Sequence, residues 1–237
     1  MRIKIINPAI DISSEMNRRW EIYLKKYLRA DTELDFENIP WGFPSVETET
    51  QGVINGAEVL KIVEKTQGKG YDGIFINCFD DPAVYAAREI SDIPVLGPYE
   101  SSIRFSSMLS ERLAIISTDA NGVLSEERKG NIHKTGNLIY KIINIDMTVL
   151  ELSNEKLLSE KLLRCCKQLE EEQVGAVVLG CTGMSRVVDM VSNTLATDGA
   201  KIQIVEPLRI GVTSLEYMII NKFKNPIYCT SIGAFPR

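Results

Sequence analysis

The fold is decided by two stretches of similar sequence, YDGIFINC at Tyr71–Cys78 and VGAVVLGC at Val174–Cys181. Each consists of a short apolar run that ends next to a cysteine. Bounded runs rich in β-branched residues are typical of strands that are buried on both faces of a parallel sheet. Each cysteine is therefore predicted to stand where a buried strand gives way to a turn.

Similar apolar runs alternate with helix-like segments along the whole chain. The runs lie at Ile3–Ile6, Ile74–Ile76, Pro94–Leu96, Leu113–Ile116, Ala176–Leu179 and Ile202–Val205. The helix-like segments lie at Val53–Lys65, Ala83–Ile90, Ser101–Leu109, Asn154–Glu171, Arg186–Leu195 and Gly211–Phe223. This alternation predicts βαβ units and mostly parallel sheets.

The order of the elements also repeats. RIKIINP at residues 2–8 parallels RLAIIST at residues 112–118, and each precedes one of the two cysteine stretches. The strands that follow, IPVLGP at residues 93–98 and IQIVEP at residues 202–207, both end near a proline. Matching order and matching cysteines together indicate an internal repeat.

The repeat predicts an α/β fold of two similar, pseudo-symmetric halves, each a mostly parallel sheet flanked by helices. Residues 1–97 and 208–237 are predicted to form the first half, and residues 98–207 the second. Ligands of open parallel sheets bind outside the carboxyl ends of the strands. The active site is therefore predicted in a cleft between two halves that face each other.

Composition excludes several classes of partner. The chain has 237 residues, of which 44% are hydrophobic, and a formal net charge of −5. No basic excess is available to neutralise nucleic-acid phosphates, so a small molecule or a protein is the expected partner. No stretch approaches the ~20 apolar residues of a membrane span, and the start of the sequence lacks the apolar core of a signal peptide. We expect a cytoplasmic protein that has no membrane partner and keeps its cysteines reduced.

The five cysteines and the single histidine do not form a metal-binding pattern. No Cys-x-x-Cys occurs, so neither a zinc site nor a disulfide framework is predicted. Cys165 and Cys166 lie in a helix-like segment, where at most one of them is expected to face the core. Cys229 lies in the terminal tail, and His133 is predicted in a solvated loop.

Cys78 and Cys181 are the candidate functional residues. Each is expected near the start of a helix, where free N–H groups and the positive end of the helix dipole favour a thiolate or a substrate anion. Taken alone, either cysteine is better explained as a small buried core residue. Their matching placement in the two halves favours a functional interpretation.

The sequence resembles the aspartate/glutamate/hydantoin racemase superfamily, and is most similar to the hydantoin and allantoin racemases. The resemblance covers nearly the whole chain. Its specific segments are INCFDDPAVYAARE at residues 76–89 and LGCTGM at residues 179–184. The further matching segments are Asn7–Pro8, PSVE at residues 44–47, PVLGPYE at residues 94–100 and AIIST at residues 114–118.

The resemblance implies a cofactor-independent, two-base racemisation with Cys78 and Cys181 as the acid/base pair. One thiolate removes the proton from the stereogenic carbon, and the opposite thiol supplies a proton to the other face. A free thiol has a pKa of about 8.5, so modest local shifts maintain a thiolate and a thiol near neutral pH. Backbone N–H groups that stabilise the developing enolate oxygen are assigned by the resemblance to Phe79, Thr182 and Gly183.

The resemblance further assigns polar contacts with a substrate carboxylate or ring carbonyl to Asn7, Ser45 and Thr118. Other interpretations stay open for each of them. Ser45 is also suited to a helix cap or a turn, and Thr118 to a cap of the next element. Asn7 also suits the shaping of the loop before Pro8.

Three functions stay open because the sequence departs from the hydantoin-type pattern at Ala9–Asp11, Asp80, Thr182 and Glu206–Pro207. The first is a racemase of a hydantoin- or allantoin-like ring. The second is a racemase of a free amino acid such as aspartate or glutamate, since many of those enzymes resemble this chain in having threonine after the second cysteine. The third is a non-catalytic small-molecule binder. The resemblance also implies a homo-oligomer and a substrate with a carboxylate or cyclic amide.

Overall fold

The computed structural model describes residues 1–226 and divides the chain into two compact units. Unit 1 consists of Met1–Gly97 together with the chain from Gly211 onward, and unit 2 consists of Pro98–Ile210. Each unit is built on one four-stranded sheet in which all neighbouring strands are parallel. Cys229 lies outside the described residues.

Unit 1 contains the first four strands and the first three helices. The strands are β1 (Arg2–Asn7), β2 (Glu33–Asn38), β3 (Gly73–Ile76) and β4 (Val95–Leu96). The helices are α1 (Ser14–Lys25), α2 (Glu49–Thr66) and α3 (Val84–Ile90). The order across the sheet is β2-β1-β3-β4.

Unit 2 repeats this plan. Its strands are β5 (Leu113–Ser117), β6 (Ile139–Asn144), β7 (Ala176–Leu179) and β8 (Gln203–Val205), in the order β6-β5-β7-β8. Its helices are α4 (Pro98–Ser106), α5 (Ala120–Ile132), α6 (Glu155–Glu171) and α7 (Val188–Thr197). Short 3-10 segments lie at Gly136–Leu138, Leu150–Ser153 and Thr182–Val187. Within residues 1–226, no helix is both long and apolar enough to span a lipid bilayer.

The equivalent strand orders confirm the predicted α/β fold of two similar halves with parallel sheets. The central strands pair in equivalent register, with Ile6 opposite Ile76 in unit 1 and Ile116 opposite Leu179 in unit 2. All four of these side chains are fully buried. Central strands of a parallel sheet are covered on both faces, which is why their sequences read as unbroken apolar runs.

The last helix, α8 (Pro207–Ile220), begins in unit 2 and continues into unit 1. α8 packs closely on Gly73 at the start of β3, because a Cβ atom there would lie 3.0 Å from a methyl carbon of Leu215 and 2.9 Å from a methyl carbon of Ile219. The Glu216 carboxylate accepts hydrogen bonds from the Arg29 backbone and the Thr32 hydroxyl. These contacts make α8 a structural part of unit 1.

Two strands and two helices of the structure were not predicted. β2 (ELDFEN) and β6 (IYKIIN) form sheet edges, and none of their residues is fully buried. Edge strands therefore mix polar and apolar residues and lack the apolar run by which the central strands were recognised. The helices α1 and α5 are capped by Ser13 and Asp119, whose side chains accept hydrogen bonds from the first turn.

The prediction that at most one of Cys165 and Cys166 faces the core is wrong. Their exposed fractions are 6% and 0%. α6 contacts β5, α7 and the 3-10 segment Thr182–Val187, so neighbouring elements cover more than one of its faces. Adjacent positions on this helix are therefore both buried.

The prediction of a solvated loop at His133 is also wrong. His133 caps the C-terminus of α5, is 8% exposed and packs its ring against Tyr99, with 5.1 Å between ring centroids. The polar sequence around it folds back tightly, since the Thr135 N–H donates to the Gly130 carbonyl at 2.9 Å. This turn brings the histidine against the unit instead of exposing it.

Candidate active site

Cys78 is presented by a tight turn that takes the chain off β3. The Asn77 N–H donates to the Ile6 carbonyl at 2.8 Å and extends the β1–β3 ladder by one residue. The Cys78 N–H then donates to the Ile76 carbonyl at 3.0 Å, which closes a three-residue turn centred on Asn77. Cys78 thus stands at the carboxyl end of the sheet, where it is partly exposed.

The segment after Cys78 is a strained turn rather than a helix. Asp81 and Ala83 have φ angles of 46° and 60°, in the region that favours glycine, and α3 begins only at Val84. A Cβ atom on Gly97 would collide with the Asp81 carboxylate, so the turn is packed against the residue that follows β4. The helix predicted at Ala83–Ile90 is present as α3, and the turn formed by residues 79–83 separates it from Cys78.

A chain of asparagine amides lies behind this turn. The Asn77 side chain donates to Asn7 Oδ1 at 2.9 Å, and Asn7 Nδ2 donates to Asn17 Oδ1 at 3.0 Å and to Asn38 Oδ1 at 2.8 Å. Asn38 in turn donates to the Ile12 carbonyl at 2.8 Å. Asn7 is 1% exposed, and both ends of its amide are bonded to other asparagines. In this structure Asn7 braces the strand ends, and its contact with a substrate stays a prediction.

Ser45 lies in a loop next to the end of β1. Asn55 fixes this loop: its Oδ1 accepts the Phe43 N–H at 2.9 Å, and its Nδ2 donates to the Pro8 and Phe43 carbonyls at 2.8 and 3.1 Å. The Ser45 hydroxyl donates to Glu47 Oε1 at 2.7 Å, and the serine is 6% exposed. The cap of α2 is Thr48, so Ser45 is not the helix cap that one interpretation allowed.

Cys181 is held differently. The Gly180 N–H donates to the Ile116 carbonyl at 2.7 Å, and a Cβ atom on Gly180 would lie only 2.8 Å from the Ser117 Cα. Cys181 is partly exposed and is the N-cap of the 3-10 segment Thr182–Val187. A 3-10 segment thus begins directly after Cys181, and the helix predicted at Arg186–Leu195 follows that segment as α7.

The Gly183 N–H donates to the Cys181 Sγ atom at 3.4 Å. This group was assigned to the substrate oxygen by resemblance, and in the structure it instead points at the thiol. Thr182 is 5% exposed, as is expected of a residue covered by the first helical turn. A hydrogen bond to sulfur stabilises the thiolate relative to the thiol.

Thr118 and Phe79 take positions next to the strand ends. Thr118 follows β5, is 7% exposed, and accepts the Met147 N–H at 3.1 Å through its carbonyl. The cap of α5 is Asp119, so Thr118 is not the cap that one interpretation allowed. The Phe79 side chain is buried, with 3% exposed, and anchors the turn after Cys78.

The departure at Glu206–Pro207 has a structural explanation. Glu206 is fully buried, and its two carboxylate oxygens accept the N–H groups of Leu208 and Arg209, each at 2.8 Å. A carboxylate at a helix N-terminus also opposes the positive end of the helix dipole. Glu206 therefore caps α8, and Pro207 occupies its first position, where a missing N–H costs nothing.

The other described cysteines are unsuited to acid/base chemistry. Burial raises the pKa of the Cys166 thiol to about 12, and burial also raises the pKa of Cys165. Reactive cysteines need both access and a stabilised thiolate. In the described part of the chain, no group of three His, Cys, Asp or Glu side chains is placed to hold a metal ion.

Sequence reasoning missed Asn77, Asn38 and Asn17. The available signal was the asparagine that ends or follows each of three neighbouring strands. Asn7 and Asn38 are paired in register at the ends of β1 and β2, and Asn77 follows β3. Side chains at the carboxyl ends of adjacent parallel strands necessarily lie close together.

The structure has two parallel-sheet units of equivalent topology. Each unit has a partly exposed cysteine after its third strand. These features define a class of α/β protein with two similar units and one cysteine at the strand ends of each. The sequence model of the Asp/Glu/Hydantoin racemase family matches residues 3–215. The chain therefore belongs to this family of racemases, which are isomerases. The resemblance seen in the sequence and the predicted enzyme class are both confirmed.

Individual relatives agree with this assignment. The chain is 26% identical over 221 residues to a hydantoin racemase of Pseudomonas sp. (strain NS671), covering 92% of this chain and 86% of that protein. It is 30% identical over 194 residues to a hydantoin racemase of Rhizobium meliloti, covering 80% and 78%. The solved structure of an allantoin racemase from Klebsiella pneumoniae superposes with a TM-score of 0.88 at 26% identity, covering 100% of this chain and 94% of that chain.

Proposed function

We propose that this protein is a cofactor-independent racemase of a hydantoin- or allantoin-like ring, with Cys78 and Cys181 as its acid/base pair. One observation carries the proposal. The two partly exposed cysteines occupy equivalent positions in the two units, whereas Cys165 and Cys166 are buried in a helix. A racemase needs one proton-transfer group for each face of a planar intermediate.

The reaction requires a thiolate and a thiol on opposite faces of one carbon. The thiolate takes the proton from the stereogenic carbon, and the electron pair of the C–H bond moves into the adjacent carbonyl to give an enolate. The opposite thiol then donates its proton to the other face, the carbonyl re-forms, and the two sulfurs have exchanged their protonation states. Return of the resting state needs one proton exchange with solvent or a turnover in the reverse direction.

Cys181 is supported as a thiolate by the Gly183 N–H at 3.4 Å. The developing enolate oxygen also needs donors that are already in place. The backbone N–H groups of Phe79 and Thr182, next to the two cysteines, are our proposed donors. Asn7 and Ser45 are bonded within unit 1, so we propose that they shape the site, and Thr118 stays a proposed polar contact.

The ring substrate is supported by the relatives and by charge. Curated relatives are named hydantoin racemases, and the allantoin racemase from Klebsiella pneumoniae has a closely similar fold. Asp80 and Asp81 follow Cys78 in the sequence after one intervening residue, Phe79. Carboxylates near the thiol disfavour a second substrate carboxylate, which favours a neutral cyclic amide over aspartate or glutamate.

The test is a racemisation assay over a panel of single enantiomers: 5-substituted hydantoins, allantoin, aspartate and glutamate. Chiral chromatography should show racemisation of at least one cyclic substrate, with a loss of more than about a thousandfold in Cys78→Ala and in Cys181→Ala. Cys165→Ala is the matched control and should retain activity. If only the amino acids are racemised, the substrate is a free amino acid and not a ring compound. No racemisation of any member, with ring compounds still bound, would indicate a binding protein.

A homo-oligomer stays a prediction from the resemblance, and a cytoplasmic location stays a prediction from the sequence pattern. Light scattering on the purified protein tests the first, and cell fractionation tests the second. A monomer at the concentrations of the assay would exclude an oligomer as a requirement for activity.

A further inference from the structure

We propose that Asn77 is a positioning residue that holds Cys78 through the chain of buried asparagine amides, whereas Cys181 is positioned by close backbone packing at Gly180. The two thiols of the pair can then be disturbed independently. The catalytic consequence of this inference rests on the proposed function, but its structural part does not.

Asn77 is the centre of the turn that presents Cys78. Its N–H is fixed to the Ile6 carbonyl at 2.8 Å, and the N–H of the next residue closes the turn on the Ile76 carbonyl at 3.0 Å. In a three-residue turn, the φ and ψ angles of the central residue mainly determine the direction of the side chain that follows. Whatever fixes Asn77 therefore fixes the direction of the Cys78 thiol.

The side chain of Asn77 supplies the second attachment. Its amide donates to Asn7 Oδ1 at 2.9 Å, and Asn7 is held by Asn17 and Asn38 at 3.0 and 2.8 Å. The bonds join the ends of β1 and β2 and one residue of α1 to the turn after β3. Asn77 is 5% exposed, so water competes little for these bonds.

The side-chain oxygen of Asn77 is not used by these asparagine amides. Asn77 Oδ1 is buried and accepts no hydrogen bond within the described residues. Buried carbonyl groups are rarely left without a donor, so an asparagine selected for stability alone would be expected to use both ends of its amide. The Asn77 side chain makes its hydrogen bond through its N–H group, which is the attachment that the positioning role requires.

Unit 2 achieves the same placement without a side chain. Gly180 is the equivalent of Asn77, and its N–H donates to the Ile116 carbonyl at 2.7 Å, as the Asn77 N–H does to Ile6. A Cβ atom on Gly180 would lie 2.8 Å from the Ser117 Cα and 2.9 Å from the Ile116 oxygen. In unit 2, direct contact between Gly180 and β5 fixes Cys181, and no side-chain amide takes part.

The first test measures each thiol separately and needs no substrate. The variants are Asn77→Ala and Asn77→Gly, and the second introduces the residue that unit 2 has at the equivalent position. Each variant is treated with iodoacetamide across pH 6–9, and peptide mass spectrometry follows the alkylation of each cysteine. Loss of the attachment should raise the alkylation rate of Cys78 about tenfold, since a freed thiol becomes more accessible, and leave Cys181 within about twofold. Asn77→Ser, which keeps a small polar side chain, replaces either variant that does not fold. Asn221→Ala, which removes an exposed amide bonded to the Tyr217 carbonyl, is the control.

Unchanged alkylation of Cys78, or an equal rise at both cysteines, would overturn the inference. The first outcome would mean that the amide chain does not hold the thiol. The second would mean that Asn77 supports the fold in general. Alkylation can be measured even if the protein has no racemase activity. Failure of this inference is therefore distinguishable from failure of the proposed function.

The second test uses the active enzyme in D₂O. Racemisation has an equilibrium constant of one, so kcat/KM must be equal for the two enantiomers, and only proton exchange separates the two thiols. In Asn77→Ala, the enantiomer whose proton is removed by Cys181 should exchange faster than it inverts, by about tenfold or more, because only the return of a proton from Cys78 is impaired. The other enantiomer should lose exchange and inversion together. An equal loss of exchange for both enantiomers would contradict a role confined to Cys78.

Discussion

Gly183 donates its backbone N–H to the Sγ atom of Cys181 across 3.4 Å. Cys181 is the N-cap of a helical segment, so its sulfur takes the place of the side-chain oxygen that usually caps a helix. Hydrogen bonds to a charged group are stronger than those to a neutral one. This relationship favours the thiolate form of Cys181.

Gly183→Pro should make Cys181 less reactive, because proline lacks the N–H that the sulfur accepts and is tolerated in the first turn of a helix. We expect alkylation of Cys181 at pH 7 to slow about fivefold, which corresponds to about 1 kcal/mol. Gly183→Ala keeps the N–H and is the matched control. Equal alkylation rates in the two variants would show that this hydrogen bond does not support the thiolate.

Alkylation should distinguish the two classes of cysteine in the native protein. Burial raises the pKa of Cys166 to about 12 and also raises that of Cys165, so both stay protonated at pH 7–9. Iodoacetamide should therefore modify Cys78 and Cys181 in the folded protein, and the other two only after unfolding. Peptide mass spectrometry of a Cys229→Ser protein checks this, and bound ring substrate should slow both reactions. Modification of Cys166 at a comparable rate in the native state would contradict the buried environment of α6.

Gly180→Ala should displace Cys181, since its Cβ atom would lie 2.8 Å from the Ser117 Cα. Backbone atoms have to move to relieve this contact, and a displacement of a catalytic group by about 1 Å costs up to about a hundredfold in rate. We expect kcat to fall by about ten- to a hundredfold. Gly52→Ala is the control, because its Cβ atom would meet Val46 at an ordinary 3.7 Å within α2. Wild-type kcat in Gly180→Ala would mean that the contact relaxes without moving the thiol.

Glu206→Ala should destabilise the fold by about 1–2 kcal/mol, because two N–H groups of α8 lose their acceptor and the helix loses a carboxylate at its N-terminus. Urea unfolding followed by circular dichroism measures the loss. Glu89→Ala removes an exposed glutamate and should change the free energy of unfolding by less than about 0.5 kcal/mol. Equal stability of the two variants would show that Glu206 does not stabilise the fold by capping α8.

The central strands could be predicted because burial on both faces leaves a strong signal. Ile74–Ile76 and Ala176–Leu179 are unbroken apolar runs, and both are fully buried in the structure. The edge strand β6 could not be recognised in the same way. Its residues IYKIIN are partly exposed, so Tyr140 and Lys141 interrupt the apolar pattern.

The two cysteines could be predicted as a pair, but their surroundings could not. The sequence shows Asn77 and Gly180 only as the residues before each cysteine. That Asn77 reaches Asn7, 70 positions earlier in the chain, depends on the parallel register of β1 and β3. Likewise, the sequence gives no sign that Cys165 and Cys166 are both covered, because the width of the buried face of α6 depends on which elements pack against it.

The central claim is that Cys78 and Cys181 serve opposite faces of one substrate carbon. The most direct measurement is proton exchange in D₂O, followed by NMR for each enantiomer of a racemised ring substrate, in Cys78→Ala and Cys181→Ala. A variant with one remaining thiol can remove and return a proton on one face only. We predict exchange without inversion, of one enantiomer in Cys78→Ala and of the opposite enantiomer in Cys181→Ala. Exchange of the same enantiomer in both variants, or continued inversion in either, would contradict the two-thiol mechanism.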